Sequence, residues 1–244
     1  MSRRQNSGRD RLTSYFHSGE AIRSRSVGAT VLSGLVDAPA PPARLLADWD
    51  REISSRMVLE AGDVEPMPLA RARVRWPDYG LCVQAADAWT SAHGLPGILA
   101  ASDVALMACR GARYHHDGLQ YGSAAFCNLF LSEDVGLDVH FPATGDRIPL
   151  RRGTVLIFDT CQPHGVISRD RDSFNEADFT PEQNNAQIFL TWELPIESPA
   201  VARALQIEFD IISPTVLPHH EEQVFLDNAP ATVDPDSGHW HRSR

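Results

Sequence analysis

The sequence contains no lysine, and all 22 of its basic residues are arginines. A lysine nucleophile or a lysine Schiff base is therefore excluded, and any bound anion would need an arginine, a helix N-terminus or neutral donors. Basic residues are also too few to balance the acidic ones, because the formal net charge is −10. A chain with this charge has no surplus of cations to displace counterions from a phosphate backbone, so we expect no nucleic-acid partner.

Cysteine and long apolar runs are also scarce. None of the four cysteines belongs to a C-x-x-C pair, and most lie in apolar, strand-like segments. This pattern favours buried free thiols in a reducing compartment over a zinc site. No apolar run approaches the length of a membrane span, and the arginine-rich N-terminus is not followed by the apolar segment of a secretory signal. The sequence therefore predicts a cytoplasmic protein with no membrane segment.

The chain has 244 residues and is 43% hydrophobic, which suits one domain with extensions. We predict a flexible N-terminal tail over 1–28, a single domain over 29–228 and a flexible C-terminal tail over 229–244. Within the domain we expect a helical part to about residue 98, a β-barrel core over 99–195 and a C-terminal helix over 198–212.

Two segments before residue 95 have helical periodicity. "ARLLADWDREISSRM" places Leu45, Leu46, Trp49 and Ile53 on one side of a helix. "LCVQAADAWTSAHG" ends in Gly94, a residue typical of helix C-termini. Both segments therefore predict helices with one face available for packing.

From residue 99 onward, short β-rich runs alternate with turn residues. The eight candidate strands lie at 102–110, 112–118, 123–132, 136–142, 146–150, 153–160, 163–168 and 186–195. Even spacing of this kind indicates a β-sandwich or barrel. A polar segment, 169–185, separates the last two strands and is too long for a hairpin turn, so we interpret it as a functional lid or a disordered loop.

The stretch "RYHHDG" carries a candidate metal site. On a strand, residues i and i+2 share a face, so His115 and Asp117 lie together and His116 points away. In a barrel, the later strand 163–168 can bring His164 beside them. Two imidazoles and one carboxylate form the facial triad of non-heme Fe(II) oxygenases, which leaves other metal positions open. The sequence therefore predicts an iron site at His115, Asp117 and His164.

The order of motifs adds a family resemblance. "YHHDG", then "CNLFLSEDVGLDVHFP", then "IPLRRGTVLIFDTCQPHGVI" resembles the Fe(II)/2-oxoglutarate-dependent dioxygenases, particularly their prolyl-hydroxylase-like branch, over residues 100–195. The resemblance implies a mainly β fold, the double-stranded β-helix, which is a jelly-roll or cupin-like barrel with flanking α-helices. It also implies Fe(II) and 2-oxoglutarate as cofactors, O2 and a small-molecule substrate as partners, and hydroxylation or desaturation as the reaction. Asp117 occupies the carboxylate position that halogenases of the family leave to a small residue, so halogenation is not expected.

The sequence departs from the family where the distal carboxylate of 2-oxoglutarate would bind. The family has an arginine or lysine on the last core strand, whereas "NNAQIFLTW" has Ala186 or Gln187 there, and the tyrosine of prolyl hydroxylases falls on Phe130. An arginine from elsewhere could supply the two-point contact that a carboxylate needs. Our candidates for binding the cosubstrate are Arg169, Arg110, Arg113, Thr191 and Gln187.

Two alternatives remain open at this point. The missing basic residue on the last strand also suits a cupin-like metal enzyme that does not use 2-oxoglutarate. The second alternative is a non-catalytic, ligand-binding barrel that retains the metal site. The acidic residues of 169–185 suggest a small polar or cationic substrate, for example an amino acid or another metabolite.

Overall fold

The computed structural model describes residues 12–57, 59–180, 185–211 and 224–243. The strands are β1 (Leu12–Ser18), β2 (Ala21–Ser26), β3 (Leu32–Leu35), β4 (Val64–Met67), β5 (Asp103–Cys109), β6 (Ala112–His115), β7 (Ala124–Phe130), β8 (Leu137–Phe141), β9 (Asp146–Pro149), β10 (Thr154–Asp159), β11 (His164–Ser168), β12 (Gln187–Pro195), β13 (Val224–Leu226), β14 (Ala229–Val233) and β15 (Trp240–Arg242). The α-helices are α1 (Ala43–Glu52), α2 (Leu69–Arg75), α3 (Tyr79–Ala92), α4 (Gly118–Tyr121) and α5 (Pro199–Leu205).

Two antiparallel sheets form the barrel. The larger has the order β3-β10-β7-β12-β5-β4, and the smaller has the order β6-β11-β8-β9. From β5 onward the chain crosses repeatedly between the two sheets, which is the double-stranded β-helix topology. The predicted fold class is therefore confirmed, and each of the eight predicted strands is present.

The central strand β12 is buried on both faces, which explains its continuous apolar sequence. Leu190 and Trp192 belong to the core between the larger sheet and the helices. Phe189 belongs to a second core inside the barrel. Helix α1 covers the outer face of the sheet with Leu45 and Trp49, as its periodicity predicted, whereas Leu46 is exposed.

The four cysteines are all buried and free. This agrees with the expectation from their spacing. Among the described residues, no helix combines the length and the apolar character that a membrane crossing requires.

The segments at both ends of the chain form a third sheet. Residues 12–26 lie within the predicted flexible tail but form the hairpin β1–β2, and β14 and β15 lie within the other predicted tail. The sheet order is β15-β14-β13-β1-β2, so β1 pairs with a strand from the far end of the chain. Local composition does not reveal such a partner, because most of these residues are polar and their stabilisation comes from long-range pairing.

Two other segments differ from the sequence predictions. Helix α5 ends at Leu205, because Gln206 takes the left-handed conformation (φ 57°) and terminates the predicted 198–212 helix; residue 212 lies outside the described residues. In the described part of 169–185, Phe174 and Phe179 are buried and stacked with centroids 5.1 Å apart. This part of the segment is therefore a packed loop.

Candidate metal site and barrel cavity

Two histidines meet where strands β6 and β11 pair. His115 ends β6, His164 begins β11, and the two are direct cross-strand partners. Their ring centroids lie 4.5 Å apart. The strand pairing therefore brings together two imidazoles that are distant in the sequence.

Asp117 joins them from a turn. Strand β6 was expected to reach residue 118 but stops at His115. Asp117 is the N-cap residue of helix α4, and its carbonyl accepts the N–H groups of Gln120 and Tyr121. The Asp117 N–H donates to the carbonyl of Thr160 at 2.8 Å, which fixes the turn. Its carboxylate still faces both histidines: Oδ1 lies 3.6 Å from His115 Nε2, and Oδ2 lies 3.5 Å from His164 Nε2. The three potential ligand atoms all lie within 4.8 Å of one another.

Backbone carbonyls orient both imidazoles. Nδ1 of His115 lies 2.7 Å from the Arg113 carbonyl, and Nδ1 of His164 lies 3.1 Å from the Gln162 carbonyl. A carbonyl can only accept, so each Nδ1 carries a proton, and Nε2 is the nitrogen left to face Asp117 and to bind a metal. Burial, and next the charge of His115, lowers the pKa of His164 to about 4. His164 is then neutral at physiological pH, as a metal ligand must be, and the donor set suits Fe(II).

A buried ion pair supports the turn that holds Asp117. Asp159 accepts from Arg25 at 2.6 and 2.8 Å and from the Cys161 N–H at 2.9 Å, and both ion-pair side chains are fully buried. Thr160, between Asp159 and Cys161, supplies the carbonyl that holds Asp117. The hairpin β1–β2 therefore contributes a residue, Arg25, to the support of the metal site.

His116 lies outside the three-residue cluster, as predicted. The predicted reason was strand alternation, but β6 ends at His115, so the turn after the strand separates the two side chains. Its ring packs on Trp240 with centroids 4.9 Å apart, and its Nδ1 accepts the Gly118 N–H at 3.2 Å. Burial lowers the pKa of His116 to about 4. Its partners indicate a structural position beside the site.

The three residues open into a cavity of about 230 Å³ inside the barrel. Strands β7 and β12 contribute paired residues to its lining in three successive layers. The cross-strand pairs are Glu193 with Phe126, Thr191 with Asn128, and Phe189 with Phe130. Phe126, the partner of Glu193, also pairs with Phe158 on the neighbouring strand β10. The ring centroid of Phe158 lies 4.8 Å from that of His164, so we infer that the Glu193 layer is the one nearest the metal site.

Of the five candidates for cosubstrate binding, Thr191 lines this cavity. Gln187 is buried, and its amide donates to the Glu133 carbonyl at 3.4 Å. Arg110 is also buried and lines a separate cleft. Arg113 is half-exposed and pairs with Glu176 at 3.2 Å. Arg169 donates to Asp138 at 2.8 Å and to Asp134 at 2.9 Å.

The cavity lining fits a metal better than it fits 2-oxoglutarate. No arginine is among the described residues that line it, and the layer nearest the metal site carries the carboxylate of Glu193. The deepest of the three layers consists of stacked aromatic rings, Phe130 and Phe189, with centroids 5.0 Å apart. A second carboxylate would lose its hydration there without a cation, which costs several kcal/mol.

Sequence reasoning missed Glu193, Asn128 and Tyr121 as lining residues. Glu193 stands two positions after Thr191 on one strand, so strand alternation could have placed it on the same face. Asn128 and Tyr121 required the strand register and the position of α4, which the sequence pattern does not give.

Fold and site together define a double-stranded β-helix with a His–Asp–His set facing its cavity. Among solved structures, the chain is similar to the viral collagen prolyl hydroxylase of Paramecium bursaria Chlorella virus-1 (11% identity, 66% of this chain, 94% of that chain, TM-score 0.36). It is also similar to a prolyl-4-hydroxylase of Pseudomonas putida (17% identity, 68% and 92%, TM-score 0.36). A third similar structure is the non-heme α-ketoglutarate-dependent epimerase of nogalamycin biosynthesis (11% identity, 84% and 92%, TM-score 0.34). No protein-family model and no curated protein matches the sequence.

Proposed function

We propose that the protein is a non-heme Fe(II) oxygenase that acts on a small organic molecule bound in the barrel cavity. The observation that carries this proposal is the convergence of His115, Asp117 and His164, with both Nε2 atoms directed at one carboxylate. Bound Fe(II) would supply the activation of O2. His164 is buried and neutral, and backbone carbonyls orient both imidazoles. These features suit a metal site better than a histidine–aspartate ion pair.

The chain's own residues would bind the metal, orient the substrate and limit water. Phe126, Phe158 and Phe141 form a connected series of rings beside His164, with neighbouring centroids 4.8 to 6.0 Å apart. This apolar wall reduces the access of water to the site and strengthens polar contacts within it.

The sequence resemblance supports 2-oxoglutarate as the cosubstrate and hydroxylation or desaturation as the reaction. Among the candidates taken from the sequence, Thr191 lines the cavity. A related Fe(II) oxygenase that does not use 2-oxoglutarate is the second candidate. It is favoured by the carboxylate of Glu193 and by the lack of an arginine among the described lining residues.

Anaerobic titration of the full chain with Fe(II), followed by 2-oxoglutarate, tests both candidates. We expect one Fe(II) per chain by calorimetry. If 2-oxoglutarate is the cosubstrate, its addition produces a weak visible absorption band, and exposure to O2 then releases succinate. Fe(II) binding without the band or succinate supports the second candidate.

Two results would count against the proposal as a whole. Failure of the wild-type chain to bind Fe(II) at micromolar concentration contradicts the metal site. Fe(II) binding without O2 consumption, across a screen of amines, amino acids and other small metabolites, would indicate a non-catalytic ligand-binding barrel.

A further inference from the structure

Glu193 places a negative charge in the cavity layer nearest the metal site. It is half-buried and lines the cavity, opposite Phe126 on the neighbouring strand. Burial, and next the negative charge of Asp103, raises the pKa of Glu193. Burying the Glu193 carboxylate costs free energy, because the described residues that line the cavity include no arginine to pair with it.

Aromatic rings lie beside this carboxylate. Tyr121 and Phe126 pack edge-on with centroids 5.0 Å apart, and both line the cavity. Burial raises the pKa of Tyr121, and the charges of Glu193 and Asp117 raise it further, so the phenol lies within electrostatic reach of both carboxylates. A carboxylate in a cavity that aromatic rings also line is a favourable environment for an organic cation.

One layer deeper, two buried side-chain oxygens lack hydrogen-bond partners. Asn128 and Thr191 are direct cross-strand neighbours that line the cavity, and their exposed fractions are only 8% and 9%. Asn128 Oδ1 and Thr191 Oγ1 make no hydrogen bond. An unsatisfied buried oxygen of this kind costs about 1–3 kcal/mol, which a bound ligand could recover.

We propose that the substrate of this cavity carries a protonated amine that pairs with Glu193, and a second hydrogen-bond donor that reaches Asn128 and Thr191. Tyr121 and Phe126 would contact the cation through their rings. The two polar layers are roughly 7 Å apart, as residues i and i+2 of a strand are, so one small molecule can reach both. This inference rests on the proposed function and names the class of its substrate, a small aliphatic or aromatic amine.

Matched ligand series test the proposal without a turnover assay. The probes are n-alkylammonium ions from propyl to hexyl, the corresponding alcohols and the corresponding carboxylates. Binding is measured by anaerobic calorimetry on the full chain, with and without Fe(II), because an amine or a carboxylate could also contact the metal. We expect at least one ammonium ion to bind about tenfold or more tightly than the alcohol of equal length, in both conditions, and the carboxylates to bind more weakly.

The variant Glu193→Gln should lose the preference for ammonium by about tenfold, which is 1.4 kcal/mol. The matched control is Glu208→Gln, which alters an exposed glutamate outside the cavity and should leave the preference unchanged. Unchanged Fe(II) affinity shows that Glu193→Gln still folds. Should that variant fail to fold, the ranking of the three probe series in the wild type still decides the question.

Three outcomes would overturn the inference: no ammonium ion binds at millimolar concentration, alcohols or carboxylates bind as well as ammonium ions, or the preference persists in Glu193→Gln. Each is distinct from a failure of the iron site, which shows only in the Fe(II) titration.

Discussion

Nε2 of His164 lies 3.5 Å from Oδ2 of Asp117, a separation longer than a good hydrogen bond. The two side chains face each other because the start of β11 pairs with the end of β6, just before the turn that carries Asp117. Neither strand alone contains the complete donor set. The metal site therefore depends on tertiary structure, and its loss can be separated from loss of the fold.

Replacing His115, Asp117 or His164 by alanine should weaken Fe(II) binding by at least about a hundredfold and leave the protein folded. Each side chain borders the existing cavity, so alanine enlarges that cavity and does not open a new one elsewhere in the core. Anaerobic calorimetry and thermal unfolding measure the two effects. His17→Ala, at an exposed position of β1, is the control, and His116→Ala should retain Fe(II) binding. Full Fe(II) affinity in Asp117→Ala would refute the assigned ligand set.

Arg25→Met should destabilise the protein by about 3–5 kcal/mol, because it leaves the buried carboxylate of Asp159 without its counter-ion. It should also lower Fe(II) affinity, since Asp159 anchors the turn that holds Asp117. Urea unfolding and Fe(II) titration measure these effects. Arg23→Gln removes a more exposed pairing on the same strand and should cost less than about 1 kcal/mol. Equal effects of the two variants would argue against a special role of the buried pair.

Gly118→Ala should disturb the metal site although it adds only one methyl group. A Cβ at this position would overlap the sulfur of Cys161, which is held by Ser14 and Arg25. We expect a loss of about 1–3 kcal/mol in stability and weaker Fe(II) binding, because Asp117 is the adjacent residue. Gly80→Ala, in α3 with no atom within 4 Å of its added Cβ, should be neutral or slightly stabilising. Wild-type stability and Fe(II) affinity in Gly118→Ala would contradict this prediction.

Arg169→Gln should lower stability by about 1–2 kcal/mol at pH 7, because it removes charged hydrogen bonds to Asp134 and to the buried Asp138. The Arg169 hydrogen bond is the main cause that lowers the pKa of Asp134. A carboxyl with a lowered folded pKa stabilises the fold above its unfolded pKa and loses that contribution in acid. The difference from wild type should therefore shrink toward about pH 3.

Urea unfolding at the two pH values measures the effect of Arg169→Gln. Arg56→Gln, which removes an exposed helix pair with Glu52, should change stability by less than about 0.5 kcal/mol. A tenfold loss of 2-oxoglutarate affinity in Arg169→Gln, with stability unchanged, would instead support the cosubstrate role considered from the sequence.

Much of the barrel could be predicted from the sequence, because alternation and turn residues are local signals. They predicted all eight core strands, and the i, i+2 spacing of His115 and Asp117 marked the candidate site. What could not be predicted depends on register. Glu193 and Asn128 come within one cavity only when β12 aligns with β7, and the hairpin carrying Arg25 is stabilised by a strand from the opposite end of the chain.

The pairing of β1 with β13 has a consequence for the order of folding. Leu12 pairs with Leu226, so this contact must close a loop that spans most of the chain. Contacts of such large sequence separation form slowly, whereas hairpins within the barrel close over short loops. We therefore expect the barrel strands to assemble before the terminal sheet is complete. Because β2 carries Arg25, tight metal binding should develop only in that last kinetic phase, which stopped-flow refolding in the presence of Co(II) could resolve.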